Sequence, residues 1–149
     1  MENRKQLHSW QGIGEFTLAG KAVLTLRSAK TGQRYTYKIC GKTNENESEF
    51  SIWFVSVLYG PDNGSDYAYV GFIKKNELPY IHGKKSKIAA EDKRNKAFEY
   101  FWEHIRKGKN APHLEVWHEG KCGRCNRPLT VPESIESGFG PECIKHIHH

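Results

Sequence analysis

The chain lacks any apolar run near the length needed to cross a bilayer, so no membrane-spanning helix is expected. Its opening residues, Met1-Glu-Asn-Arg-Lys-Gln6, have no apolar core, which argues against a secretory signal. Lysine and arginine are missing altogether between residues 45 and 72, where five acids fall. No internal repeat, heptad or low-complexity tract is present. There is no Walker pattern and no nucleophile elbow. Gly12-x-Gly14 is expected to precede a strand, not to open a helix, so it does not indicate a nucleotide loop. His82, His104, His113 and His118 are scattered, and Asp62 and Asp66 flank a turn. The sequence therefore points away from an enzyme and shows no small-molecule site.

What is present suits one ordinary domain with a small satellite. The 149 residues are 37% apolar and 12% aromatic, lean but foldable. The net charge is +6, and it is unevenly placed. Residues 1 to 44 hold eight bases against two acids, and residues 73 to 149 hold fifteen against ten. Basic flanks around an acidic middle fit an anionic partner, nucleic acid above all.

The pattern predicts an α+β fold, an antiparallel meander of about five strands with one covering helix. Residues 1–11 read as a flexible arm, 12–111 as a β-rich domain, and 112–149 as a zinc-binding segment. Glu15–Leu18 and Ala22–Leu26 read as a strand pair split at Ala19-Gly20. Residues 33–40 alternate strictly, with Tyr35, Tyr37 and Ile39 on one face and Arg34, Thr36 and Lys38 on the other. Gly41–Ser48 reads as a polar loop, and Phe50–Tyr59 as a central strand buried on both faces. After a Gly60–Gly64 turn, Tyr67–Ile73 returns as a strand and Leu78–Ile81 as a short edge. Ala97, Phe98, Phe101, Trp102 and Ile105 then paint one stripe of a helix over 90–107, stopped by Gly108. Pro112–Trp117 reads as a last strand. Cys40 reads as an inert packed thiol.

Three of the four cysteines cluster near the end: Cys122-Gly-Arg-Cys125, then Cys143-Ile-Lys-His146. Cys-x2-Cys followed by Cys-x2-His is the spacing of a structural Zn2+ site, because a short knuckle turn aims two thiolates at one tetrahedral ion. Pro141 suits a helix start, which sets Cys143 and His146 on one helical face. His118, four residues before Cys122, competes with His146 as fourth ligand. A redox pair fits less well, since Arg127-Pro128 breaks the helix that a Cys-x2-Cys redox site needs. A reducing cytoplasm is the expected location, and there clustered thiols favour metal over disulfide.

The same segment carries Cys-Gly-x-Cys, Arg127-x-Leu129, Pro132-x-Ser134-Ile135 and Gly138-x-Gly140-Pro141-x-Cys143. It resembles a small domain of unknown function found in bacterial and phage proteins. The resemblance implies a zinc-binding tail on a phage or mobile-element protein, working in the host cytoplasm, with no assigned reaction.

Three basic clusters are candidate nucleic-acid contacts. Lys21, Arg27, Arg34 and Lys38 lie on neighbouring strands beside Tyr35, Tyr37, Tyr67 and Tyr69, as in single-strand platforms where cations track phosphates and rings stack on bases. Lys84, Lys85 and Lys87 form a loop, and Lys121, Arg124 and Arg127 sit on the zinc segment. Tyrosines in strands are equally expected from core packing. The leading expectation is a non-catalytic nucleic-acid-binding accessory protein. The alternative is a module that contacts a host protein, with the acidic stretch from Glu45 to Asp66 mimicking nucleic acid.

Overall fold

The computed structural model describes residues 5–43, 48–62, 65–75, 79–130 and 132–147. Seven strands form one antiparallel sheet: β1 (Lys5–Leu7), β2 (Lys21–Ser28), β3 (Arg34–Thr43), β4 (Phe50–Leu58), β5 (Tyr67–Lys74), β6 (Tyr80–His82) and β7 (Leu114–His118). Their order is β1-β7-β2-β3-β4-β5-β6. From β2 to β6 this is the expected meander. It departs at one edge, where β7 returns late in the chain and enters between β1 and β2. Residues 5–7, expected within a loose arm, are an edge strand.

Two helices cover one face. Helix α2 (Lys93–Arg106) matches the predicted stripe, and its buried Phe98, Phe101, Trp102 and Ile105 face the sheet. Asp92 caps it by accepting from the Arg94 amide, and Gly108 ends it at φ 75°. Helix α1 (Trp10–Thr17) replaces the predicted strand over Glu15–Leu18, and Gly12 and Gly14 lie inside it. Glycine lowers intrinsic helix stability, so packing decides here. Gly14 lets α1 approach Ile105, and Ser9 caps the start by accepting from the Gly12 amide. Phe16 is fully buried.

The core lies between helices and sheet. Tyr37 and Ile39 point into it, as the alternation of β3 requires. The Tyr37 hydroxyl donates to the Arg94 carbonyl at 2.6 Å. Strand β4 differs from expectation: Trp53, Val55 and Val57 are buried, whereas Phe54 on the opposite face is 37% exposed. Among the described residues no helix covers that second face, so the central strand is buried on one side only. Of the expected Gly41–Ser48 loop, residues 41–43 instead extend β3 in its pairing with β4, and residues 44–47 lie outside the described residues. The Gly60–Gly64 turn and the Leu78–Ile81 strand lie partly outside them, as do Glu45 and Glu47 of the acidic stretch. Among the described residues, no helix is long and apolar enough to cross a membrane.

Candidate metal centre and basic surfaces

The metal segment is built onto helix α1. After β7 the chain turns at Gly120 (φ 79°), and a knuckle closes as Cys122 N donates to the Arg127 carbonyl at 2.9 Å. Asn126 takes the left-handed conformation that lets the chain double back, and its amide donates to the Cys122 carbonyl. The knuckle is fastened to β2 because Lys21 N donates to the Gly123 carbonyl at 2.9 Å. Gly123 is required by proximity: a Cβ there would stand 2.7 Å from the Phe16 ring. Two short helices follow, α3 (Pro132–Ser137) and α4 (Pro141–Ile147). Phe139 packs 5.9 Å from the Phe16 ring and fixes the turn between them.

This path brings Cys122, Cys125 and Cys143 together, with sulfurs all within 4.8 Å of one another. Tetrahedral thiolate zinc places sulfurs about 3.8 Å apart, given Zn–S near 2.3 Å. The three thiols can therefore hold a metal ion with little movement. Cys122 and Cys143 are buried. Burial pushes the Cys122 thiol up, but the amides of Gly140, Cys125 and Arg124 favour the thiolate and leave it below its ordinary value. Burial raises the Cys143 thiol, and the other two cysteines add to that rise, against the Arg124 guanidinium. Arg124 donates to Cys143 Sγ at 3.5 Å, and its amide to Cys122 Sγ at 3.4 Å. A cation at the centre would offset the rise that the neighbouring thiols impose on Cys143.

The two candidate histidines sit very differently. His118 is fully buried, against the Phe16 ring at 6.0 Å. Its Nδ1 accepts from the Gly120 amide at 2.9 Å, so the proton lies on Nε2, which donates to the Ile135 carbonyl at 2.5 Å. Both nitrogens are thus engaged, Nε2 joining β7 to α3 and Nδ1 bracing the turn at Gly120. His146 is exposed on α4, three residues beyond Cys143. Neither imidazole belongs to the three-sulfur cluster.

The basic residues occupy separate places. Arg27, Arg34 and Lys38 share the uncovered sheet face, where Arg27 pairs Arg34 across β2 and β3. Arg27 is engaged by Glu115 at 3.2 Å, and the Lys38 ammonium lies 4.3 Å from the Tyr67 ring centroid. Lys21 is exposed at the start of β2, beside the knuckle. Lys84, Lys85 and Lys87 are exposed beyond β6. That strand is three positions from β3, about 14 Å away. Arg124 and Arg127 are exposed on the knuckle.

The predicted rings divide. Tyr37 is core, and Tyr35 lies on the same covered face, so neither is placed with the open-face cations. Tyr67 and Tyr69 lie on the open face. Sequence reasoning missed Phe54, Phe72 and Trp117, which join them there. Phe54 pairs Phe72 directly and meets Tyr69 edge-on at 6.1 Å, while Trp117 pairs Thr25. The signal was period-two alternation within β4 and β5, hidden by their nearly continuous apolar runs. Cys40, expected to be packed, is half-exposed opposite Phe54.

Residues 113–148 match the profile of a family described only as a family of unknown function (DUF6011). The match covers β7, the knuckle and both short helices, well under half of the chain. No curated protein and no solved structure matches the chain.

Proposed function

We propose that this protein binds single-stranded nucleic acid on the open face of its sheet, and that a structural zinc ion fixes its C-terminal segment. The observation that carries the reading is one uncovered surface holding Arg34 and Lys38 together with Phe54, Tyr69, Phe72 and Trp117. Cations spaced along β3 suit a phosphate backbone, and rings on β4, β5 and β7 suit unstacked bases. Thr25, Thr36 and Glu119 form a hydrogen-bonded line between them.

The zinc would be held by Cys122, Cys125 and Cys143, with His146 as fourth ligand. His118 already spends both nitrogens on the backbone, whereas His146 follows Cys143 by one helical turn. Knuckle and α4 together would make a treble-clef-like centre whose role is to hold Arg124 and Arg127 at the surface. Four protein ligands leave no position for a reacting water, so the role is binding without catalysis. Filter binding of single-stranded DNA and RNA across a salt series tests the reading. Affinity should fall steeply with salt, and salt-independent or absent binding at low salt would defeat it.

A second reading, contact with a protein partner, has one observation in its favour. Phe54 and Ile81 are each 37% exposed and flank Phe72, which makes an apolar patch at the β6 side of the open face. Nuclease-resistant co-purification of a protein would favour it.

A further inference from the structure

A cleft lies on the other side of the sheet from that face, between the β2–β3 loop and helix α2. It measures about 470 Å³, within the roughly 300–1,000 Å³ of small-molecule sites. Its floor is apolar, made by Leu26, Tyr35, Ala97 and Leu114. Its rim carries Lys30, Lys93 and Lys96, the last also 3.5 Å from the Glu99 carboxylate, and among the described residues no carboxylate lines the cleft itself. An apolar floor under a rim of three lysines fits a ligand with a flat uncharged body and an anionic end.

Two features show that the cleft is held in shape. Tyr100 stands at its edge, 43% exposed, yet its ring is fixed by a hydroxyl donating to the Pro112 carbonyl at 3.2 Å and by the His104 ring at 4.4 Å. An exposed ring held in place is a ready stacking surface, because little freedom is lost when a ligand covers it. Opposite, His113 adopts φ 61°, a conformation a non-glycine residue keeps only when its surroundings enforce it. Here the Ala29 amide donates to the His113 carbonyl at 2.8 Å, tying β7's approach to the β2–β3 loop. That loop is itself ordered by Ser28, whose hydroxyl accepts from the amides of Lys30 and Thr31.

We infer that this cleft binds a nucleoside phosphate, the base between Tyr100 and the Leu26–Ala97–Leu114 floor and the phosphate among Lys30, Lys93 and Lys96. A free nucleotide and the phosphorylated end of a single strand share that chemistry. A peptide suits the cleft less, since an extended chain needs a longer contact than one compact hollow provides. The inference stands apart from the sheet reading, because the sheet cations face the other way.

Calorimetry with AMP, ATP, adenosine and inorganic phosphate tests it on the full chain, alongside 5′-phosphorylated and unphosphorylated oligothymidylate. The charge-reversed Lys93→Glu/Lys96→Glu variant lies on exposed helix positions and should keep its circular dichroism. It should weaken the nucleotide or phosphorylated-end titration by about tenfold or more, and adenosine should bind worse than AMP by a similar factor. Lys107→Glu/Lys145→Glu, an equal charge change elsewhere, should alter neither. Response to AMP or ATP identifies a free nucleotide as the source; tighter binding of the phosphorylated than of the unphosphorylated oligonucleotide, with no response to AMP or ATP, identifies a strand end. Arg34→Glu/Lys38→Glu should leave the AMP titration, or the gain from the 5′-phosphate, intact, which separates failure here from failure of the sheet reading. Binding insensitive to the Lys93/Lys96 change, or no gain from the phosphate in either pair of probes, AMP against adenosine and phosphorylated against unphosphorylated oligothymidylate, overturns the inference.

Discussion

Phe16 of helix α1 lies so close to Gly123 of the metal knuckle that a single added carbon would sit 2.7 Å from its ring. The same ring blocks a Cβ at Gly138, at 2.6 Å, and touches His118 and Phe139. One phenylalanine near the start of the chain is therefore the seat of a segment that begins a hundred residues later. Gly123→Ala should destabilise the protein by about 1–3 kcal/mol, since the aromatic ring and the backbone behind it leave no room to relax. Thermal unfolding with and without added zinc checks this. Phe16→Ala should cost about 3–5 kcal/mol and loosen zinc as well.

The two histidines should separate cleanly. His146→Ala should lower zinc affinity and shift the charge-transfer bands of the cobalt-substituted protein, while leaving the sheet folded. His118→Ala should instead reduce folding stability by about 1–3 kcal/mol, through the lost Ile135 and Gly120 hydrogen bonds, and keep the cobalt spectrum. The reverse pattern would reassign the ligand.

On the open face, Arg34→Glu and Lys38→Glu should each weaken single-strand binding and reduce the salt slope by about one ion. Arg27→Glu should do less, because Glu115 already neutralises that guanidinium. Trp117→Ala and Phe54→Ala should each cost about 1–3 kcal/mol of binding if bases stack there. Fluorescence anisotropy at several salt concentrations measures all of these.

The alternation of β3 and the stripe of α2 were legible because each has one buried face and a clear period. Cys122, Cys125 and Cys143 were legible because ligand spacing is a local property of the chain. What failed was long-range or masked by composition. Gly12 and Gly14 speak against a helix, and only the packing of Phe16 and Ile13 explains α1. The insertion of β7 between β1 and β2 pairs β2 residues with partners 86 to 94 positions away, which no local pattern reveals. Phe54 and Phe72 sat within apolar runs, so their exposure became visible only once both helices were found on one face. That His118 engages the Gly120 amide and the Ile135 carbonyl depended on the fold of the segment through α3, which no local pattern reveals.

Acid should act on the start of α2. The Arg94 guanidinium and amide hold the Asp92 carboxyl down at about 2. Because the folded value is depressed, its contribution is complete above the unfolded value near 4 and is lost as pH falls toward 2. The carboxyl is partly solvated, so its capping role should be worth only about 1 kcal/mol. Asp92→Ala should lower stability by that amount at neutral pH and flatten the decline between about pH 4 and pH 2, as urea titration at each pH would record.

Metal content with X-ray absorption at the zinc edge tests the account most directly. The purified protein should carry about one zinc per chain in a shell of three sulfurs and one nitrogen. Cys122→Ser and Cys143→Ser should each lose the metal and unfold at least the C-terminal segment. Well under one zinc per chain after refolding in its presence, or a shell without sulfur, would contradict the account.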